Sequence, residues 1–286
     1  MRTRRAHKPR EPSHAERVAS RDGYFAPESV IRRVGNTPVT PFLGGGTAVL
    51  LQVAHPLVAA GVADHSAYDR DVWRRLVRTL RALYMITFGT KAEAERAAQA
   101  VRAAHARVNG TIEKQLGVFP AGTSYSADDP ELMLWVHATL VHASLCAYQR
   151  FEHALSPADQ ASYYREMALV ARLFGTPAEV IPMTLADHQD YFSAQIESDT
   201  ITVTEPAREI ARVILRAPLP GPMRIVVPAH RLATAAHLPP RLREEYALGV
   251  TPLSRPLLTA AGLGIRLGSW PMFRIASYVR PRYGAT

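Results

Sequence analysis

Cysteine is almost absent from this sequence: Cys146 is the only one in 286 residues. A single thiol excludes an internal disulfide and any zinc site built on several cysteines, and it suits a reducing compartment. Without C-x-x-C-H, a covalently attached c-type heme is excluded too. Lysine is nearly as scarce, limited to Lys8, Lys91 and Lys114, so arginine carries almost all of the positive charge. Long apolar runs are also lacking. The longest, residues 46–63, is interrupted by Gln52, His55 and Pro56, which suits a core helix and not a membrane span. Arg4 and Arg5 are followed by no apolar segment, so no signal peptide is expected. No Gly/Ser-rich or Pro-rich linker divides the middle. The chain therefore reads as a basic, non-periodic extension over 1–24 and one domain over 25–286.

The formal charge is +9, and hydrophobic residues make up 47% of the chain, enough for a large core. The charge sits at the two ends. Residues 1–21 hold seven basic against two acidic residues, and residues 250–286 hold five arginines and no acid. The body between is close to neutral. A nucleic-acid binder carries its basic residues as a stripe on a folded element, so nucleic acid is not an expected partner.

Periodicity predicts helix almost throughout, at about 47–62, 68–88, 91–109, 130–154, 158–174, 178–197, 205–216, 222–236, 240–249, 252–266 and 272–279. A short helix over ESVIRRV precedes them. Asp129-Pro130 and Ser156-Pro157 each place a cap before a proline at the first helical position, and Gly89, Gly110 and Gly175 stand where stops are expected. Gly44 to Gly46 form a glycine-rich approach to a helix, without phosphate-loop spacing; close packing on a neighbour or a flat ligand is the better use. ITVT (201–204) is the only strand-like stretch. The fold class is all-α.

The residues able to carry chemistry are mostly histidines. In KAEAERAAQAVRAAHARVNG, the apolar stripe Ala94, Ala98, Val101, His105, Val108 and Ile112 turns His105 inward among small side chains. Such a His is either a hydrogen-bonded core residue or a ligand with room for a flat macrocycle beside it. On the preceding helix Arg75 and Thr79 share a side and Arg78 lies next to them; they form either a solvated basic face or a set able to hold carboxylates or polarise a bound ligand. The helix containing WVHATLVHASLC is apolar nearly all round, hence central, and carries His137 and His142 on different faces. His55 lies in the first apolar helix, and Asp64-His65 at its end. Other catalytic plans find no support. The only Glu-x-x-His, Glu11 to His14, lies in the extension; H-E-x-x-H and G-x-S-x-G are missing. A buried His without a nearby carboxylate or second His favours heme over a bare metal ion.

The runs GGGTAVLLQVAHPLVAAGVADHS, RRLVRTL, VRAAHARVNG and DDPELMLWVHATLV, in this order over about residues 27–236, resemble the MpaB-like family, which includes the rubber oxygenases. The resemblance implies an all-α domain enclosing one b-type heme. It also implies a heme-dependent oxygenase acting on a hydrophobic small molecule with dioxygen; a non-catalytic heme or lipophile carrier is the alternative. The single cysteine and the missing signal peptide suit a cytoplasmic location. In the rubber oxygenases the axial ligand is the His of H-A-x-x-R. The matching residue is His105, followed by Ala106, with Asn109 at the Arg position. Their distal R-x-x-K-T is similar to Arg75, Arg78 and Thr79, with arginine replacing lysine. His137 resembles a further family histidine, and His55 joins the expected cofactor-binding set. A distal Glu has no counterpart between Ala59 and His65, where Asp64 and His65 are the available replacements.

Overall fold

The computed structural model describes residues 22–37, 39–65, 72–216, 227–254 and 256–264, with the backbone alone for residues 72–77. In chain order these form α1 (Val30–Gly35), a π-helical turn (Thr40–Gly44), α2 (Gly45–Val53), α3 (Pro56–His65), α4 (Val72–Phe88) and α5 (Lys91–His105). A small hairpin follows, β1 (Asn109–Thr111) and β2 (Ser124–Ser126). Then come α6 (Pro130–Phe151), α7 (Pro157–Phe174), a 3-10 turn (Ala178–Val180), α8 (Leu185–Glu197), α9 (Glu205–Arg216), α10 (Val227–His237) and α11 (Pro240–Glu245). Residues 256–264 are also helical, and are labelled α12. The all-α expectation holds.

Helix α6 is apolar all round because it has core on both sides. One side packs Trp135 and Ala138 against α2, α8 and α9 through Leu50, Leu51, Phe192 and Ile210. The other packs Val141 and Leu145 against α1, α5 and α7 through Ile31, Ala98 and Tyr164. Trp135 is 1% exposed and its Nε1 donates to the Leu51 carbonyl at 3.2 Å, so the indole is buried without losing its polar group. The predicted caps are in place. The Asp129 carboxylate accepts from Glu131 and Leu132, the Ser156 hydroxyl accepts from Asp159, and Gly175 closes α7 in the left-handed conformation.

Four expectations change. The single helix over 47–62 is two, bent by 105°. Pro56 has no N–H to continue the ladder and disfavours helical geometry at the residue before it. The His55 ring takes over as cap of α3, its Nδ1 accepting from the Leu57 N–H at 3.2 Å. Residues 178–197 also divide: Pro182 stops the 3-10 turn, and a Thr184–Asp187 capping box restarts the helix at Leu185. The helix from 91 stops at His105, four residues early, because the chain turns into β1; Asn109, Gly110 and Thr111 pair antiparallel with Ser126, Tyr125 and Ser124. Finally, ITVT forms no strand. It runs extended, its Thr202 N–H donating to the Ala54 carbonyl and its Val203 N–H to the Glu245 carboxylate.

Gly44 to Gly46 lie inside helix and not in a loop, and they serve close packing. A Cβ on Gly44 would lie 3.0 Å from both the Ala143 carbonyl and the Ala147 Cβ of α6; one on Gly46 would overlap Thr234 Oγ1 and lie 2.7 Å from His230 Cε1 of α10. Gly46→Ala should therefore cost about 1–3 kcal/mol by overpacking. Urea denaturation checks this; unchanged stability would mean α10 can step back from α2.

No single helix among the described residues is long and apolar enough to cross a membrane.

Candidate active site

Helix α5 starts at a Thr90–Glu93 capping box and lays Ala94 and Ala98, both fully buried, against the core. His105 ends it. The ring is half-buried, and its Nδ1 is shielded from solvent with no hydrogen-bond partner. Burial lowers the pKa of this imidazole; Asp128, in the turn after β2, pulls weakly the other way. The group is therefore neutral near pH 7, the form in which a histidine ligates a metal. Its surroundings are small, with Ala103, Ala104 and Ala106 as chain neighbours. Beside this last turn lies a cleft of about 400 Å³ lined by Arg102, Ala106, Asp128, Met133, Phe174 and Gly175.

The hairpin ties the end of α5 to the end of α3. The His65 Nε2 is 2.9 Å from the Asn109 carbonyl. The Tyr125 hydroxyl donates to the Asp64 carboxylate at 2.5 Å, and the Tyr125 ring meets His65 edge-on. At Gly61 α3 packs on Val108 and the Tyr125 ring, with room for a Cβ in ordinary van der Waals contact. Asp64, His65 and the turn after His105 are thus one connected unit. Asn109 has its own local task, its side-chain amide donating to the Ala106 carbonyl at the end of the helix. Burial and the Asp64 carboxylate both push the Tyr125 pKa up, so it remains a donor. Tyr125→Phe should destabilise the fold by about 0.5–1.5 kcal/mol, since it removes the bond from the buried Tyr125 to the exposed Asp64 carboxylate, which water can solvate instead. Thermal melts check this, and an unaltered Tm would show that Asp64 is solvated without it.

The remaining sequence candidates are spread out. Arg78 and Thr79 lie on the exposed side of α4, and the side chain of Arg75 lies outside the described residues. A two-residue connection makes α4 and α5 antiparallel, so this part of α4 flanks the His105 end of α5. His55 is buried, caps α3, and packs on Phe119 with ring centroids 5.4 Å apart.

His137 is 4% exposed, with Nε2 unpartnered. Beside it and along α6 lie further rings, of which the sequence reading named His142 but missed His188 and His237. His188 of α8 is 6.4 Å from His137 between centroids, with its Nδ1 also unpartnered, and Tyr164 of α7 is 4.9 Å from His188. His142 stacks on Phe192 at 4.3 Å, and His237 meets Phe151 edge-on with neither ring nitrogen paired. Burial, reinforced by the neighbouring imidazole, drives His137 down to about 3; burial drives His188 and His237 to about 4. A signal was available for His188, because Leu185, His188, Phe192 and Ile196 repeat at helical spacing. The described residues contain no group of three or more His, Cys, Asp or Glu placed to hold a metal ion. A lone neutral imidazole among small residues fits a heme ligand, since the porphyrin supplies the other donors to the iron.

Comparison with known proteins gives a consistent picture. The uncharacterized proteins Mb2261 of Mycobacterium bovis and Rv2237 of Mycobacterium tuberculosis are each 26% identical to this chain over 206 residues, covering 70% of it and 77% of their own length. No solved structure matches the chain significantly. The family model of the ER-bound oxygenase mpaB/B′/rubber oxygenase catalytic domain matches residues 32–267, which takes in α2 to α11 and every site element above; the chain belongs to this oxygenase family.

Proposed function

We propose that this protein is a heme b-dependent oxygenase acting on a hydrophobic small molecule in the cytoplasm, with His105 as the axial ligand. The observation that carries the reading is the His105 imidazole: half-buried, held neutral and unpartnered at Nδ1, in a motif that resembles the H-A-x-x-R of the rubber oxygenases. Bound heme would supply the redox chemistry with dioxygen. The chain supplies the rest. Helix α5 fixes the imidazole in direction, and its alanines leave space for a flat ring. The cationic Arg75 and Arg78 on the flanking helix suit the heme carboxylates, and the Thr79 hydroxyl can donate a hydrogen bond on that side. Asp64, clamped by Tyr125, and His65, held by the Asn109 carbonyl, are polar groups joined through the hairpin to the turn after His105. His137, buried in α6 beside Tyr164 and His188, is the further histidine that the resemblance assigns to the site.

The test is oxygen uptake by heme-loaded protein with terpenoid and polyketide-like candidates, read together with incorporation of labelled oxygen into product. Uptake coupled to labelled product is expected. A protein that binds heme stoichiometrically yet consumes no oxygen with any candidate would instead be a carrier.

A further inference from the structure

Arg102 stands three residues before His105, so the two share one side of the last turn of α5. Its long stem has a fixed course. A Cβ on Gly175 would lie 3.2 Å from the Arg102 Cδ and 3.5 Å from its Cγ, so the stem crosses the end of α7 at a residue without a side chain. Gly175 has φ +104° there, the left-handed conformation that closes α7. At the far end of the stem, Nη1 donates to the Leu173 carbonyl in the last turn of α7. That is the one bond of the guanidinium among the described residues, and a guanidinium has five N–H donors.

Arg102 lines the cleft beside His105, with Ala103 and Ala106 of its own helix; Met133 of α6 and Phe174 of α7 add apolar wall. Asp128 lines the cleft too. It makes no ion pair with Arg102, so the guanidinium charge is not already neutralised. Asp128 is exposed, and water screens its repulsion of an incoming anion. Its field reaches the His105 ring, which puts ring and cleft side by side. At about 400 Å³ the cleft has the size of a small-molecule site. Small and apolar walls with unused guanidinium donors at an exposed rim match one edge of a heme. The macrocycle is flat and apolar, and its carboxylates take a planar fork of donors at the water boundary.

We propose that Arg102 binds a carboxylate of the heme in this cleft and so fixes the rotation of the macrocycle on His105. This rests on heme binding at His105. It adds to Arg75 and Arg78 an anchor on the ligand's own helix, one turn away, so that the axial bond and a carboxylate bond come from a single rigid element.

Titration of the full chain, freed of heme, with hemin and with hemin dimethyl ester tests this, followed at the Soret band. The diester keeps the iron and the flat ring but offers no carboxylate. The variants are Arg102→Gln and Arg102→Lys; position 102 is exposed, so both should keep the far-ultraviolet dichroism of the wild type. Arg102→Gln should bind hemin about tenfold more weakly than the wild type, while the diester binds to both within about twofold. Arg102→Lys keeps the charge without the fork and should recover part of the loss. Equal weakening for hemin and diester would overturn the proposal, because Arg102 would then act only through the end of α7. A wild type that takes up neither compound overturns the heme reading itself, whereas unchanged hemin binding in Arg102→Gln overturns the role of Arg102 alone.

Discussion

His105→Ala should lose heme while keeping its fold. The ring is half-buried at a helix end, its Nδ1 makes no hydrogen bond, and alanine is the better helix former at that place. Removing it should leave the far-ultraviolet dichroism and the melting temperature nearly unchanged, while heme affinity falls by about two orders of magnitude or more as the iron loses its protein ligand. His55→Ala is the informative contrast. It removes the cap of α3 and should cost about 1 kcal/mol of stability, but leave heme bound. If His55→Ala empties the protein of heme and His105→Ala does not, the ligand has been assigned to the wrong histidine.

The second large effect is on acid stability. Three buried histidines, His55, His137 and His188, and the half-buried His237 are held far below the ordinary value of 6.5, at about 4, 3, 4 and 4. Burial is the first cause in each case. They are neutral when folded and take up protons when unfolded. Stability is therefore complete above pH 6.5 and falls as the pH drops from 6.5 towards 4. Each group contributes up to about 1.4 kcal/mol per pH unit in that interval. Together they approach roughly 5 kcal/mol per unit, against a typical domain stability of about 5–15 kcal/mol. Cooperative unfolding between about pH 5.5 and 4 is expected. His188→Leu should lower the slope of stability against pH by about one proton. A wild-type protein still folded at pH 4 would show that these rings find partners, internal water included, that relieve their burial.

The sequence carried the fold further than it carried the site. Helices with a cap at one end and a stop at the other, such as α6 from Asp129 and α7 from Ser156 to Gly175, are legible because one residue type solves one local hydrogen-bonding problem. The bend at His55 was missed since an apolar run looks continuous in periodicity, although Pro56 alone forbids it. The hairpin was missed because three-residue strands have no room for a repeat. For the site, the inward face of α5 exposed His105, and the apolar nature of α6 exposed His137. What joins the candidates could not be read. Tyr125 meets Asp64, and His65 meets the Asn109 carbonyl, only after the hairpin folds back on α3. His188 of α8 meets His137, and His237 of α10 meets the other end of α6 at Phe151; both lie far along the chain, and only packing brings them to α6.

The most direct measurement of the central claim is the absorption spectrum of the purified full-length protein, oxidised and reduced, with the heme extracted and quantified as its pyridine complex. A Soret band and one extractable b-type heme per chain are expected. A folded protein that shows no Soret band even after incubation with heme would contradict the assignment of His105 and the oxygenase chemistry built on it.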